Sequence, residues 1–193
     1  MRIGVLALQG DVREHERALR ALGAETVRVK RPAQLERIAG LVIPGGESPA
    51  IHRLLALEGL DARIAAHAAL GMPVFGTCAG LILLARRIED GSVPTLSLLD
   101  ATVRRNGYGR QLESFETRLV HHTLGGEPLH AVFIRAPTIL DTGDGISVLA
   151  RHEGRPVAIE QGAVIGCAFH PELSGDLRLH ARFLERAAAF LRL

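Results

Sequence analysis

The sharpest chemical signal in the chain is a cysteine between two glycines, in the segment GTCAG at residues 76–80. It follows an apolar run typical of a buried strand and precedes a run of helix-forming residues, a pattern that predicts a strained turn presenting a nucleophile. The start of a helix favours the thiolate of Cys78, and the Ala79 amide would face the oxyanion formed in an attack. The segment predicts a nucleophilic cysteine; the alternative is a buried structural cysteine in a glycine-rich turn.

A nucleophilic thiol needs a base, and the segment HPE at residues 170–172 offers one. A residue before proline favours extended geometry, and residues i and i+2 of an extended segment project to the same side. We therefore expect His170 to act as the base and Glu172 to hold its tautomer. The alternative is a histidine at a strand end beside a solvated glutamate.

A third segment, PGGES at residues 44–48, also follows a predicted strand. Its two glycines would let backbone N–H groups converge on an anionic centre, as an oxyanion site requires; the alternative is a simple strand-to-helix turn. All three segments follow predicted strands, and the carboxyl ends of parallel strands meet where such sheets form their ligand crevice. Together they predict one site for acyl transfer.

The periodicity of apolar residues predicts the elements that position these segments. In the first half, short apolar runs alternate with helical patterns, which predicts a parallel sheet with helices on both faces. The predicted strands are 2–8, 26–30, 40–44 and 73–77, and the predicted helices are 12–22, 32–38, 50–57, 60–70 and 79–87. In the first helix Val12, His15, Leu19 and Leu22 recur at helical spacing, with Asp11 as the predicted N-cap and Gly23 as the stop. The second half reads as short strands at 97–105, 115–120, 131–135, 147–151, 156–160 and 163–169, with turns at 153–154 and 161–162 and a closing helix at 175–193. We expect one three-layer α/β domain over residues 1–193, with a mostly parallel sheet flanked by helices and antiparallel strands in its C-terminal half.

Composition excludes several other classes of protein. The chain has 193 residues, a formal charge of +2 and only 4% aromatic residues, so neither a basic nucleic-acid surface nor an RNA-stacking platform is expected. No apolar run reaches the 18 or more residues of a membrane span. Two cysteines are too few for a disulfide scaffold, and Cys167 is predicted to be core. We expect a soluble cytoplasmic protein with no nucleic-acid or membrane partner.

PGGES, GTCAG and HPE together resemble the class I, triad-type glutamine amidotransferases. More narrowly, IGVLALQGDVREH at residues 3–15, RNGYGRQLESFE at 105–116 and VFIRAP at 132–137 are similar to the glutaminase subunits of pyridoxal 5′-phosphate synthases. The likeness spans nearly the whole chain and implies a flavodoxin-like fold. The chain departs from the family pattern at Pro49, where threonine is usual, and at Tyr108, where phenylalanine is usual.

The resemblance implies a role for each site residue. Cys78 would be the nucleophile, His170 the base and Glu172 its orienter, while Gln9-Gly10 would support the site. The residues implied to contact glutamine are Gly46, Glu47, Ser48, Arg105, Ile134 and Arg135. The implied oxyanion hole consists of the amides of Gly46 and Ala79. No cofactor and no metal are implied.

The reaction implied is hydrolysis of L-glutamine to glutamate and ammonia through a γ-glutamyl thioester. Ammonia needs an acceptor, and the resemblance names a (β/α)8-barrel synthase subunit that builds pyridoxal 5′-phosphate from ribose or ribulose 5-phosphate, glyceraldehyde 3-phosphate and ammonia. It also implies weak activity without that partner, which we expect to order the loop at residues 45–48. The alternatives are a cysteine hydrolase or peptidase, the glutaminase of a different amidotransferase, or a non-catalytic regulatory module.

Overall fold

The computed structural model describes residues 1–107, 114–120 and 123–192. Its strands are β1 (Arg2–Leu6), β2 (Glu25–Val29), β3 (Leu41–Ile43), β4 (Val74–Thr77), β5 (Ala85–Ile88), β6 (Leu99–Arg104), β7 (Ser114–Leu119), β8 (Leu129–Ile134), β9 (Thr138–Thr142), β10 (Ser147–His152), β11 (Arg155–Gln161) and β12 (Val164–Cys167). Its α-helices are α1 (Val12–Ala21), α2 (Ser48–Glu58), α3 (Leu60–Ala69), α4 (Ala79–Leu84), α5 (Pro171–Ser174) and α6 (Arg178–Phe190), and a 3₁₀ helix spans Pro32–Arg37. Tyr108 and the middle of the 105–116 motif lie outside the described residues.

A seven-stranded sheet in the order β10-β11-β12-β4-β3-β1-β2 forms the centre of the fold. The pairs from β2 to β12 are parallel, while β11 pairs antiparallel with both β12 and β10. Strands β3, β4 and β12 are buried along their whole length, because helices cover both faces. The predicted mostly parallel sheet with antiparallel strands in the C-terminal half is confirmed.

Two neighbouring residues of β4 show how the helices divide between the two faces of the sheet. Phe75 packs against Phe183 of α6, whereas a Cβ at Gly76 would contact Gly80 of α4. Successive strand residues point to opposite faces, so α6 and α4 lie on opposite sides. Helix α1 contacts α5 and α6, and α2 contacts α3 and α4. The arrangement is the three-layer sandwich that the sequence predicts.

Two smaller sheets belong to the second half, and here part of the prediction was wrong. The helix predicted over 79–87 ends at Leu84, and the chain continues as β5, which pairs with β6 in a sheet completed by β9. Strand β9 was not predicted. The closing helix begins at Arg178 rather than at 175, after the separate short helix α5. Strands β7 and β8 form a two-stranded sheet.

The hairpin turns that the sequence predicts are present. Glu153 and Gly154, between β10 and β11, both have positive φ, at 48° and 78°, as a type I′ turn requires. Gly162, between β11 and β12, has a φ of 59°. No helix in the described part of the chain is long and apolar enough to cross a membrane.

Candidate active site

Cys78 lies in the turn between β4 and α4, with φ 48° and ψ −104°, a conformation that is strained for a residue with a side chain. The glycines on either side permit this turn. A Cβ at Gly76 would lie 2.6 Å from the backbone carbon of Gly80, and a Cβ at Gly80 would overlap the carbonyl oxygen of Ile43. The Cys78 amide donates to the Cys167 carbonyl of β12 at 2.9 Å, which fixes the turn to the sheet.

His170 follows β12 and meets Glu172, as the sequence predicts. The distance between His170 Nδ1 and Glu172 Oε1 is 2.8 Å, and the Glu172 side chain is fully buried. The predicted backbone geometry was wrong in part: Pro171 begins the short helix α5, so Glu172 lies in a helical turn rather than in an extended segment. Gly45 packs on the other side of the imidazole, where a Cβ would overlap the ring.

Asp11 supplies a second carboxylate to the same imidazole nitrogen. The sequence predicts Asp11 as the N-cap of α1, and it holds that position, but its side chain makes no capping hydrogen bond. Its Oδ2 instead lies 3.3 Å from His170 Nδ1. The signal that could have indicated this role is its place after β1, at the same edge of the sheet as Cys78 and His170.

The surroundings of His170 favour its charged form. Burial opposes charge on the imidazole, but interactions with Asp11, Cys78 and Glu172 outweigh it and raise the pKa of His170 to about 12. Nδ1 faces the two carboxylates, so Nε2 is the ring nitrogen that remains available to a group in the cavity, which Cys78 also lines.

The PGGES segment follows β3, the neighbour of β4 in the central sheet. Gly46 has a φ of 149°, and its missing side chain admits Gln9, whose Oε1 accepts a hydrogen bond from the Glu47 amide at 2.8 Å. The Glu47 carboxylate pairs with Arg135 at 2.9 Å. Pro49 lies in the first turn of α2, where a helix needs no N–H donor.

These groups surround one cavity of about 320 Å³. Of the residues predicted to be catalytic or to bind glutamine, only Glu172 does not line the cavity, because it is buried behind His170. The lining residues are Gln9, Asp11, Gly46, Glu47, Ser48, Cys78, Ala79, Ile82, Arg105, Asn106, Ile134, Arg135, His170 and Leu173. Asn106, Ile82 and Leu173 were not predicted.

The predicted binding residues differ in how they are held. The carbonyl oxygen of Ile134 lies 3.8 Å from the Cys78 sulfur and can accept its hydrogen. Arg135 has a φ of 43°, a turn that accompanies its pairing with Glu47. Arg105 donates to the Ser92 hydroxyl at 3.1 Å. The second cysteine, Cys167, is fully buried, which raises the pKa of its thiol well above the ordinary value, and it is core as predicted.

Comparison with known proteins decides the family. The model of the SNO glutamine amidotransferase family matches residues 5–189. The chain belongs to this family. Among its curated relatives, the pyridoxal 5′-phosphate synthase subunit PdxT of Leifsonia xyli subsp. xyli is 58% identical over 186 residues, 95% of this chain and 94% of that protein. The subunit PdxT of Thermotoga petrophila is 51% identical over 185 residues, covering 96% and 98%.

Solved structures agree with this membership. A crystal structure of a glutamine amidotransferase is 46% identical and superposes with a TM-score of 0.91, covering 96% of this chain and 98% of that one. A chain in the structure of PurLQS from Thermotoga maritima, only 18% identical, has a TM-score of 0.70 over 95% and 97% of the two chains; it shares the fold. The predicted fold class, class I glutamine amidotransferase-like, is confirmed.

One group of side chains in this amidotransferase has the composition of a metal site. Ligand atoms of Asp11, His170 and Glu172 all lie within 4.8 Å of one another. Both carboxylates, however, lie at hydrogen-bonding or ion-pair distance from the same Nδ1, at 3.3 and 2.8 Å. A proton on Nδ1 accounts for that arrangement, and we assign no metal to it.

Proposed function

We propose that this amidotransferase is the glutaminase subunit of a pyridoxal 5′-phosphate synthase, a single domain over residues 1–193 that hydrolyses L-glutamine to glutamate and ammonia. The observation that carries the chemistry is the imidazole of His170, held by Glu172 at 2.8 Å and lining the same solvent-open cavity as Cys78. The near full-length likeness to PdxT subunits supports the choice of synthase.

In the first half of the reaction, the Cys78 thiolate attacks the carboxamide carbon of glutamine, and a carbon–sulfur bond forms. The amides of Gly46 and Ala79 would stabilise the oxyanion, since the N–H of a first helical residue such as Ala79 has no partner within its own helix. His170 then gives its proton to the departing nitrogen. The carbon–nitrogen bond breaks, ammonia leaves and a γ-glutamyl thioester remains.

In the second half, His170 accepts a proton from water as the water oxygen attacks the thioester carbon. The carbon–sulfur bond breaks, glutamate leaves and the Cys78–His170 pair returns to its initial state. Glu172 stabilises the imidazolium, which is present at the start of the first half and forms again in the second, and it keeps Nε2 of His170 directed at the sulfur.

The polar residues that line the cavity would bind the substrate. The guanidinium groups of Arg105 and Arg135 suit the α-carboxylate of glutamine, which an arginine can hold through two hydrogen bonds. Glu47 suits its α-ammonium group, and Ser48 and the Ile134 carbonyl would complete the contacts. The Glu47–Arg135 pair at 2.9 Å is half-exposed, so opening it for substrate costs only about 0–1 kcal/mol.

The ammonia-accepting partner would be a (β/α)8-barrel synthase subunit that also binds the pentose phosphate and glyceraldehyde 3-phosphate. Docking of the partner would order the loop at residues 45–48, whose glycines let its peptide groups reorient.

The deciding experiment measures glutamate and ammonia release from glutamine, with and without the cognate synthase subunit. We expect partner-dependent turnover in the wild type and none in Cys78→Ala, whereas Cys167→Ala keeps its activity. Hydrolysis of a peptide or ester with glutamine left intact would point to a different cysteine hydrolase. Equal turnover with and without the synthase would refute the partner assignment, and full activity of Cys78→Ala would refute the mechanism.

A further inference from the structure

One oxygen of Glu172 is not explained by the triad. Oε1 accepts from His170, but Oε2 is buried and has no hydrogen-bond partner among the described residues. The Nε2 atom of His15 lies 3.5 Å from this oxygen. An unpaired carboxylate oxygen in the protein interior is costly in free energy, so the group that faces this oxygen affects the position and the charge of Glu172.

His15 belongs to α1 and is fully buried among polar groups from three other elements. Its Nδ1 lies 3.0 Å from Nε2 of His180 in α6, and its Nε2 lies 3.1 Å from the hydroxyl of Thr77 in β4. Glu172 of α5 faces the same Nε2. These contacts form a buried polar chain, His180–His15–Glu172–His170, that ends at the active site.

The two inner histidines are neutral. Burial lowers the pKa of His15 well below its ordinary value, and the nearby imidazoles of His180 and His170 lower it further. Burial lowers the pKa of His180 to about 4, although Asp176 opposes the shift. Each ring therefore carries one N–H. Which nitrogen of His15 carries the proton determines whether Glu172 faces an N–H donor or a lone pair.

The proton of His15 belongs on Nε2. With the proton there, the N–H points to Thr77 and Glu172, and Nδ1 accepts from the Nε2–H of His180. With the proton on Nδ1, a nitrogen lone pair would face the carboxylate of Glu172 at 3.5 Å and repel it. His180 Nδ1 lacks a described partner in both arrangements, so it does not affect the choice.

We propose that His15 is a positioning residue of the triad, whose neutral Nε2–H holds the inner oxygen of Glu172 so that the outer oxygen stays on His170. This inference rests on the proposed function, because it assigns His15 a part in the same reaction. The N–H also offsets the burial of Glu172, which raises the pKa of that carboxyl above its ordinary value. Without the donor Glu172 would take up a proton more easily and would no longer stabilise the imidazolium.

The test is His15→Phe, which keeps a ring in the space but removes both nitrogens, against His15→Gln, whose amide can reach the same oxygen. We expect His15→Phe to lower kcat for glutamine hydrolysis in the synthase complex about 10–100-fold, as loss of an orienting partner does, with KM unchanged within about twofold. The acid limb of the pH–kcat profile of His15→Phe should move to higher pH, because Glu172 takes up its proton at a higher pH. His15→Gln should recover most of kcat. Ala18→Gly, in the same helix, controls for destabilisation and should keep the wild-type pH profile.

A second readout does not depend on turnover or on the partner. The pH dependence of Cys78 alkylation by iodoacetamide, followed by mass spectrometry, reports the thiolate–imidazolium pair, and its acid limb should shift upward in His15→Phe but not in Ala18→Gly. If His15→Phe does not fold, His15→Asn replaces it, since its shorter amide does not reach Glu172. Equal kcat for the asparagine and glutamine variants would then overturn the proposal.

The failures of the two proposals are distinguishable. If Cys78→Ala and Glu172→Gln are inactive while His15→Phe keeps the kcat and the pH limb of the wild type, the triad stands and the role of His15 is wrong. If Glu172→Gln turns over at the wild-type rate, the triad itself is wrong, and the role of His15 falls with it.

Discussion

A single methyl group added at Gly76 should measurably slow the reaction. In Gly76→Ala the new Cβ would lie 2.6 Å from the backbone carbon of Gly80, whereas real Cβ atoms essentially never come within 3.0 Å of such a neighbour. Strand β4 and helix α4 must therefore separate by at least 0.4 Å, the difference between those two distances. Cys78 lies in the turn that joins them, so its sulfur moves relative to His170.

The size of the effect follows from that displacement. A misplacement of about 1 Å can cost on the order of 100-fold in rate, so a shift of about half that size costs about tenfold if the barrier rises in proportion to the displacement. We expect Gly76→Ala to lower kcat about tenfold and to cost about 1–3 kcal/mol of stability through overpacking. Gly80→Ala should lose more kcat and more stability than Gly76→Ala, because its Cβ would overlap the Ile43 carbonyl of β3 even more closely.

The matched control is Gly145→Ala. A Cβ at Gly145 meets only the end of the Gln161 side chain, at 3.1 Å, and the glycine does not have a positive φ. Glutamate release in the presence of the synthase subunit gives kcat, and thermal denaturation gives Tm. The losses should increase from Gly145→Ala through Gly76→Ala to Gly80→Ala. A Gly76→Ala enzyme with kcat and Tm equal to those of Gly145→Ala would refute the claim that this turn is closely packed.

Three further predictions concern other parts of the molecule. Arg135→Ala should raise KM for glutamine about 10-fold or more, with a smaller effect on kcat, if its guanidinium holds the α-carboxylate; an unchanged KM in steady-state kinetics would contradict this. Asp11→Asn should shift the alkaline limb of the pH–activity profile to lower pH, because it removes a carboxylate that raises the pKa of His170. A pH profile identical to that of the wild type would rule out this role of Asp11. Burial opposes the charge of Glu160, but hydrogen bonds from Arg186 and Arg182 lower the pKa of its carboxyl in the folded protein. The charged carboxylate therefore stabilises the fold fully above its unfolded-state pKa, and this stabilisation is lost as the pH falls through the lower folded-state pKa. Glu160→Gln should therefore cost about 1–3 kcal/mol at neutral pH, and denaturation curves should show the difference vanishing in acid.

The sequence predicted elements well where local pattern and burial agree. β3 and β4 are short apolar runs that end in glycine-rich turns, and both are fully buried. Strand β5 was missed because its residues continue the helix-forming pattern of α4. It becomes a strand through pairing with β6, where Ala85 lies opposite Leu99. That partner is distant enough in sequence that no local window reveals it, and tertiary pairing overrides helix propensity.

The site was predictable to the extent that its residues share the carboxyl edge of one sheet. The pairing of β12 with β4 places Cys167 opposite Thr77, and this register brings the residues after both strands together. No motif predicts register, which is why Asp11 was interpreted only as a helix cap. His15 was likewise interpreted only as part of the periodic face of α1, because its polar partners come from elements far along the chain.

The buried polar chain is difficult to explain by stability alone. Phe75 packs edge-on against both His15 and His180, so apolar side chains already fill the surrounding space. His180 Nδ1 lacks a hydrogen-bond partner among the described residues, and Glu172 Oε2 faces the N–H of His15 only at 3.5 Å, beyond ordinary hydrogen-bond distance. A buried polar atom that is left unsatisfied costs about 1–3 kcal/mol. Apolar residues of similar size would avoid that cost. A core that retains neutral histidines behind a buried carboxylate gives up stability to keep the carboxylate ionised and oriented, which only the reaction at Cys78 requires.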